Sequence, residues 1–167
     1  MNKWVSIGLL SHFLVLILAG SVLGQQKIAF VAGIDKYRND GFLPLDFAET
    51  DATELKTELE LFGFKVTSVI GPAATTSGLC DKLNNFINQT KKLSSKDIVV
   101  VYFSGHGLMK KVQRKALSGK VEDVDKSFLC PVNAKASDER TLISLNELLS
   151  RLEKQSGRRG IKALPTA

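Results

Sequence analysis

Cysteine and histidine are scarce in this sequence of 167 residues, which contains only two of each. The two cysteines, Cys80 and Cys130, form no Cys-x-x-Cys pair. A disulfide-rich scaffold needs more cysteines, and a structural zinc site needs about four cysteine or histidine ligands. The composition therefore excludes both classes, leaves room for one disulfide at most, and predicts no metal and no other cofactor.

A strong charge of one sign is also lacking. The chain has 23 basic and 17 acidic residues, 24% charged residues and 44% hydrophobic residues. This mixture excludes a disordered chain and predicts one ordinary folded domain. The basic excess lies in the last third of the chain, where pairs such as Lys110–Lys111 have no interleaved aromatic residues. We therefore expect solvated charge and no nucleic-acid partner.

One long apolar run stands at the amino terminus, from Trp4 to Leu23, after the positive charge of Lys3. Small or permissive residues before Gln25 favour a secretory signal peptide over residues 1–24, whose removal leaves a domain over residues 25–167. The alternative is a membrane anchor, since about 20 apolar residues span a bilayer. We expect the signal, and hence a secreted or extracytoplasmic protein with no membrane contact after cleavage.

Hydrophobic periodicity predicts alternating strands and helices. Apolar runs predict strands at Lys27–Gly33, Lys65–Ile70 and Ile98–Phe103. One-sided apolar spacing predicts a helix between each pair of strands, the first on Ala48, Ala52, Leu55, Leu59 and Phe62 and the second on Leu79, Leu83, Phe86 and Ile87. This order predicts an α/β fold with a mostly parallel sheet covered by helices on both faces.

Capping and breaking residues place the helix ends. Asp46 and Glu49 have the spacing of a capping box, Gly63 is placed to end the first helix, and Thr75–Ser77 is placed to start the second.

Farther along, Lys110–Asp125 resembles a surface loop, and Pro131 argues against a central strand at Phe128–Val132. A capping box at Ser144 and Glu147 predicts a last helix, with a buried stripe of Leu145, Leu148, Leu149 and Leu152. Gly157 or Gly160 would end this helix. The segment Ile161–Leu164 then begins like a fourth strand.

The turn Ser104–Gly107, with the sequence Ser-Gly-His-Gly, follows the third predicted strand. Ligands and catalytic groups gather beyond the carboxyl ends of parallel strands, and histidine suits proton transfer near neutral pH. His106 is therefore a candidate catalytic residue. The alternative is a turn histidine that is bonded to a carbonyl group.

The segment Tyr102–Gly107 resembles the histidine motif of caspase-like cysteine peptidases, the group that includes metacaspases, paracaspases and their bacterial relatives. Ile28–Tyr37, Leu45–Ala52, Leu61–Val66 and Phe128–Ala134 resemble other parts of the family's pattern, in the right order. The resemblance extends from about residue 27 to residue 156. It implies a three-layer caspase-like fold and a Cys-His dyad that cleaves peptide bonds.

The resemblance also implies roles for individual residues. His106 is similar to the dyad histidine, and the Gly107 amide corresponds to an oxyanion donor. By similarity to metacaspases, Asp51 and Ser104 would line the pocket for the residue before the cut, where a carboxylate favours Arg or Lys. Asp51 could instead be a first-turn acid that stabilises a helix dipole. Ala48 stands where many metacaspases have a pocket cysteine.

The nucleophile is the main departure from the family. In caspase-like peptidases the nucleophilic cysteine follows the fourth strand in an Asp-x-Cys motif, which these 167 residues do not contain. Cys80 and Cys130 are expected to be buried apolar residues, with a disulfide between them as the alternative. We therefore expect a truncated, catalytically inactive product whose third strand is an uncovered apolar edge.

Two further classes of function remain open at this stage. A pseudoenzyme could use the crevice near His106 and Asp51 to bind a peptide or protein, or to associate with a full-length relative. An unrelated flavodoxin-like or receiver-like domain could use Asp35 or Asp51 as its acidic residue. Separately, Asn88 begins an Asn-Gln-Thr sequon for N-glycosylation, with chance occurrence as the alternative.

Overall fold

The computed structural model describes residues 25–39, 41–94, 96–115 and 119–156. The expected signal peptide over residues 1–24 lies outside the described residues. The expected helix end at Gly157 or Gly160 and the expected strand at Ile161–Leu164 also lie outside them, so these three remain predictions. Within the described ranges, no helix combines the length and the apolar character needed to span a membrane.

In the part of the chain that the structure describes, three parallel strands form the main sheet, in the order β2-β1-β3. They are β1 (Lys27–Gly33), β2 (Lys65–Ile70) and β3 (Ile98–Ser104). Helices α1 (Ala48–Leu61) and α2 (Thr76–Thr90) pack on this sheet, and α3 (Leu145–Ser156) packs against α2 and joins the same hydrophobic core. The predicted α/β fold with a parallel sheet is therefore confirmed.

The two faces of β1 carry two separate hydrophobic clusters. Successive side chains of a strand point to opposite faces. Ala29 and Val31 pack with Ala52 and Leu59 of α1 on one face. Ile28 and Phe30 pack on the other face with α2 and α3, and the Phe30 and Phe86 rings lie 5.7 Å apart. Burial on both faces explains why β1 reads as a continuous apolar run.

Backbone hydrogen bonds show how α1 ends. Gly63 has a φ of +79°, which favours glycine, and its N–H donates to the Glu60 carbonyl. The Phe64 N–H donates to the Leu59 carbonyl, which completes a Schellman motif. The predicted helix end at Gly63 is confirmed. The prediction that Phe62 lies on the buried stripe is wrong, because its side chain is 67% exposed beyond the last helical residue.

The amino ends of the helices agree only in part with the predicted caps. The Thr75 hydroxyl accepts a hydrogen bond from the Gly78 N–H, as predicted for α2. The Ser144 hydroxyl accepts one from the Glu147 N–H at the start of α3. At α1 the predicted cap is wrong, because Phe47 occupies the N-cap position and its side chain makes no capping bond.

A second sheet replaces the loop that was predicted over Lys110–Asp125. Strands β4 (Gly107–Lys115) and β5 (Val121–Leu129) form an antiparallel hairpin, and β6 (Ile143–Ser144) pairs with the end of β5. The loop prediction is wrong because most described side chains of this hairpin are exposed, so the sequence lacks the apolar alternation of a half-buried strand. Pro131 follows β5 and leaves its pairing intact.

Strand β3 forms one edge of the main sheet. Within the described residues, β3 pairs only with β1, and its outer side has no neighbouring strand. Ile98 and Val101 are 37% and 38% exposed. The expected uncovered apolar edge is therefore present in this part of the chain.

Candidate active site

The three strands of the main sheet end at the same level. Gly33, the last residue of β1, is in register with Ile70 of β2 and with Ser104 of β3. The segments that follow these strands therefore meet at one edge. In open parallel sheets, this carboxyl edge is where ligands bind.

His106 lies two residues beyond β3 and is held at two points. Its backbone N–H donates to the Tyr37 hydroxyl at 2.7 Å. Its ring Nε2 lies 2.7 Å from the Leu43 carbonyl oxygen. Because a carbonyl oxygen only accepts, Nε2 carries the hydrogen, and in the neutral ring Nδ1 has the free lone pair. The bond to a carbonyl that we considered as an alternative is present, and it leaves Nδ1 available as a base.

Two aromatic rings surround the imidazole of His106. The ring centroid of Tyr37 lies 5.0 Å from it, and that of Phe42 lies 5.5 Å from it. The Tyr37 and Phe42 centroids are 5.3 Å apart, so the three rings form a triangle in mutual contact. We call this group the aromatic cluster. The His106 residue is partly exposed to solvent.

The loop that carries Leu43 is tied at its ends. The Asp35 N–H donates to Glu49 Oε1 at 3.1 Å, and the Glu49 N–H donates to Asp35 Oδ1 at 3.0 Å. The Leu45 N–H donates to the Asp35 carbonyl at 2.8 Å. Asp35 therefore makes the reciprocal bonds that the sequence analysis assigned to Asp46. These bonds fix the loop two residues from Leu43.

Asp51 and Ser104 lie on the same face of the sheet. Ser104 has the same parity along β3 as Val100 and Tyr102, which pack against the α1 cluster. Asp51 is an exposed residue in the first turn of α1. A Cβ on Gly33 would come within 2.4 Å of the Ala48 carbonyl, so this turn lies directly against the end of β1.

Ser104 and Asp51 thus approach the same strand end from β3 and from α1, and His106 follows Ser104 by two residues. Gly107, the predicted oxyanion donor, is the exposed first residue of β4, in register with Leu129. The four residues singled out in the sequence therefore occupy one edge of the sheet.

Cys130 lies in the hydrophobic core, as expected, whereas Cys80 is only partly buried at the margin of another cluster, so the expectation of burial is wrong for Cys80. Cys130 is 0% exposed and packs with Phe128, Ala134 and Leu142. Burial raises the pKa of the Cys130 thiol to about 11. Burial, followed by the nearby Asp81 carboxylate, also raises the pKa of Cys80, which packs in a different cluster. Both thiols are free, and neither environment favours the thiolate that nucleophilic attack requires.

A pocket of about 510 Å³ opens beyond the ends of β1 and β2. Its wall includes the turn Asp35–Arg38, Glu49 and Val132. Tyr37 belongs both to this wall and to the aromatic cluster. Within the described residues, no group of three histidine, cysteine or acidic side chains is placed to hold a metal ion.

Sequence reasoning missed three residues of this edge. Tyr37 fell within a segment that resembled the family, but its spacing of 69 residues from His106 gave it no recognisable partner. Phe42 belongs to no motif and to no apolar periodicity, so nothing in the sequence indicated a role for it. Leu43 contributes a backbone carbonyl oxygen, and every residue type has one, so no signal in the sequence could have identified it.

The chain matches the caspase domain family over residues 26–156. It therefore belongs to this family of peptidase domains, and the flavodoxin-like or receiver-like alternative is wrong. No curated protein sequence matches the chain.

The solved structures that it matches include the crystal structure of protein GSU0716 from Geobacter sulfurreducens, with 23% sequence identity and a TM-score of 0.55. That match covers 77% of this chain and 45% of the Geobacter chain, so this chain spans less than half of that protein's length. The likeness supports the fold.

Proposed function

We propose that this chain is part of a cysteine-type endopeptidase of the caspase type, in which His106 transfers the proton. The observation that carries the proposal is the orientation of His106 at the carboxyl edge of the sheet. Its Nε2–H is bonded to the Leu43 carbonyl, so Nδ1 has the lone pair that a base requires.

The reaction begins when Nδ1 of His106 takes the proton of a cysteine thiol. The thiolate attacks the carbonyl carbon of the peptide bond, and the Gly107 amide donates to the oxyanion. The carbon–nitrogen bond then breaks, and the imidazolium gives its proton to the leaving amine. Water hydrolyses the thioester, with His106 again as the base. Throughout this cycle Nε2–H remains bonded to Leu43.

The outer edge of β3 is the place from which a nucleophile would arrive. A strand added in parallel along this edge would end level with Ser104, and the residues after it would lie next to His106. The family's Asp-x-Cys motif follows such a strand. Because the 167 residues contain no cysteine other than Cys80 and Cys130, and neither lies in an Asp-x-Cys motif, we propose that this chain alone does not hydrolyse peptides.

The preferred substrate would have Arg or Lys before the cut bond. Asp51 is exposed on the first turn of α1, beside the end of β1 and on the face to which Ser104 belongs. A carboxylate in this position attracts a basic side chain by charge pairing and hydrogen bonding.

The test compares two proteins on fluorogenic peptides that end in Arg, Lys, Asp or Ala. The 167-residue chain should hydrolyse none of them. A version extended by a strand and an Asp-x-Cys segment of the family should cleave after Arg and Lys, and His106→Ala should lower its kcat by about 10²-fold or more. An extended protein that stays inactive, with His106 and the new cysteine in place, contradicts the proposal.

The role of Asp51 needs its own comparison in the extended protein. Asp51→Asn should reduce kcat/KM for Arg peptides by about tenfold or more, because it removes the charge and keeps the shape. Asp46→Asn is the matched control, since Asp46 is also exposed and lies just before α1. Equal effects of the two substitutions would refute the assignment of Asp51 to the pocket.

A second candidate is a pseudoenzyme that binds peptides without cleaving them. The observation that favours it is that neither described thiol is fully exposed, since Cys130 is buried and Cys80 is partly buried against core side chains. It predicts saturable binding of an Arg-containing peptide that is unchanged after the thiols have been alkylated. Loss of binding after alkylation, or no binding at all, would exclude it.

We also propose that residues 1–24 direct the chain to a secretory route and are then removed. The support is the apolar run Trp4–Leu23 that follows Lys3. Mass measurement of the protein recovered from the medium of a secreting host should give a chain that starts at Gln25. Retention of residues 1–24 in a membrane fraction would show the anchor instead.

A further inference from the structure

The hydroxyl of Tyr37 lies against the backbone of the histidine turn. The hydroxyl oxygen is 2.7 Å from the backbone nitrogen of His106. Because a backbone N–H only donates, the hydroxyl oxygen is the acceptor. This bond joins the segment after β1 to the segment after β3. It is separate from the bond that the His106 ring makes with the Leu43 carbonyl.

Gly105 is the residue that allows this approach. A Cβ at Gly105 would lie 2.8 Å from the Tyr37 hydroxyl oxygen and 3.0 Å from the Phe103 ring. Non-bonded atoms do not approach a Cβ as closely as 2.8 Å without a shift of one of them. A side chain at position 105 and a Tyr37 hydroxyl in its present place therefore exclude each other.

Tyr37 is itself held firmly. Its ring packs on Phe42 and against the core cluster that contains Phe128 and Cys130. The next residue, Arg38, donates its N–H to the Val132 carbonyl at 2.8 Å. Burial raises the pKa of Tyr37 to about 12, so the hydroxyl stays uncharged across the neutral range.

We propose that Tyr37 is the positioning residue of His106. The hydroxyl fixes the His106 backbone, and the rings of Tyr37 and Phe42 pack against the imidazole at interplanar angles of 55° and 38°. Together they keep Nε2 on the Leu43 carbonyl and leave the lone pair on Nδ1. The importance of this role for catalysis rests on the proposed function, whereas the effect of Tyr37 on the orientation of the His106 ring is independent of it.

The test measures the two neutral forms of the His106 imidazole by NMR in the ¹⁵N-labelled full-length chain at about pH 8. The chain has one other histidine, His12, whose signals are assigned with His12→Gln. In the unaltered chain, the form with the hydrogen on Nε2 should dominate. Tyr37→Phe keeps the ring and loses the hydroxyl acceptor. In this variant the ratio of the Nε2–H form to the Nδ1–H form should fall about fivefold.

A matched control removes the same atom elsewhere. The chain has two tyrosines, and Tyr102→Phe deletes the other hydroxyl, which lies on the α1 face of β3. This control should leave the ratio unchanged. The proposal is overturned if Tyr37→Phe gives the same ratio as Tyr102→Phe.

A second variant approaches the same contact from the other side. Gly105→Ala should displace the Tyr37 hydroxyl and shift the ratio in the same direction as Tyr37→Phe. An unchanged ratio in a folded Gly105→Ala protein overturns the proposal. If this variant does not fold, as its amide spectrum would show, Tyr37→Phe decides alone.

A measurement at low protein concentration gives an independent readout. Diethyl pyrocarbonate reacts with the unprotonated nitrogen of imidazole, and mass spectrometry follows the modification of the His106 peptide. Tyr37→Phe should change the rate of His106 modification about fivefold, because the reagent attacks the nitrogen without hydrogen and the substitution changes how often that nitrogen is Nδ1. Tyr102→Phe should not. An inactive extended peptidase with a shifted ratio would refute the proposed function and leave the positioning role standing.

Discussion

Replacement of Asp35 or Glu49 with alanine should loosen the loop that carries Leu43. The two carboxylates each accept a hydrogen bond from the other residue's backbone N–H, at 3.0 Å and 3.1 Å. A hydrogen bond to a charged group has a net value of about 1.5–3 kcal/mol. Both residues are only partly buried, so water replaces part of what is lost. We therefore expect each substitution to lower the free energy of unfolding by about 1–2 kcal/mol.

The double variant distinguishes a joined pair from two independent bonds. When one carboxylate is lost, the backbone amide that the other carboxylate binds is no longer held in place. The two effects should therefore overlap, and the double variant should lose about 0.5–1 kcal/mol less than the sum of the single losses.

The assay is urea unfolding followed by circular dichroism. Glu60→Ala is the control on the same helix, because Glu60 makes an exposed ion pair with Lys56 at 3.2 Å. Exposed pairs of this kind contribute little, so the control should lose at most about 0.5 kcal/mol. Losses for Asp35→Ala and Glu49→Ala no larger than this, or losses that add fully, would refute the reasoning.

Three further predictions concern Tyr37, the two cysteines and Gly33. The unfolded chain loses the Tyr37 proton near pH 10 and the folded chain near pH 12, so the free energy of unfolding should fall across this interval, by about 1 kcal/mol at pH 11. Urea unfolding at a series of pH values measures this fall, which should be smaller in Tyr37→Phe. Iodoacetamide should modify Cys80 before Cys130 in the folded chain, as measured by mass spectrometry; equal rates would contradict the burial of Cys130. Gly33→Ala should cost about 2 kcal/mol or more in thermal or urea unfolding, because the new Cβ meets the backbone of α1, whereas Gly41→Ala, with open space around it, should be nearly neutral.

The sequence predicted best the elements whose side chains face the core. Strands β1 and β2 have the predicted bounds, because both are rich in apolar or β-branched residues and a glycine marks the end of each run, Gly33 within β1 and Gly71 just after β2. The hairpin of β4 and β5 was missed for the opposite reason. Several of its cross-strand pairs, such as Lys110 with Lys126, are polar on both strands, and they separate the apolar pairs Leu108 with Phe128 and Val112 with Val124. The side chains therefore show no regular apolar alternation along either strand.

Contacts made through the backbone also limited what could be predicted about the site from the sequence. His106 stood out because a short motif carries it, whereas its partner Leu43 acts through its backbone. The cap of α1 was assigned to Asp46 because the capping-box rule considers residues three apart. The structure uses Asp35, which is 14 residues from Glu49, and only the fold brings them together.

The position of the glycosylation sequon sets an order of events during biosynthesis. Asn88 is exposed near the end of α2, but Thr90, which completes the sequon, is 0% exposed, and its hydroxyl donates to the Ile87 carbonyl at 2.7 Å. An enzyme that must recognise the threonine could reach it only while α2 is undocked. In a chain that enters a secretory compartment, attachment of sugar at Asn88 would therefore compete with folding and would report how slowly this helix packs.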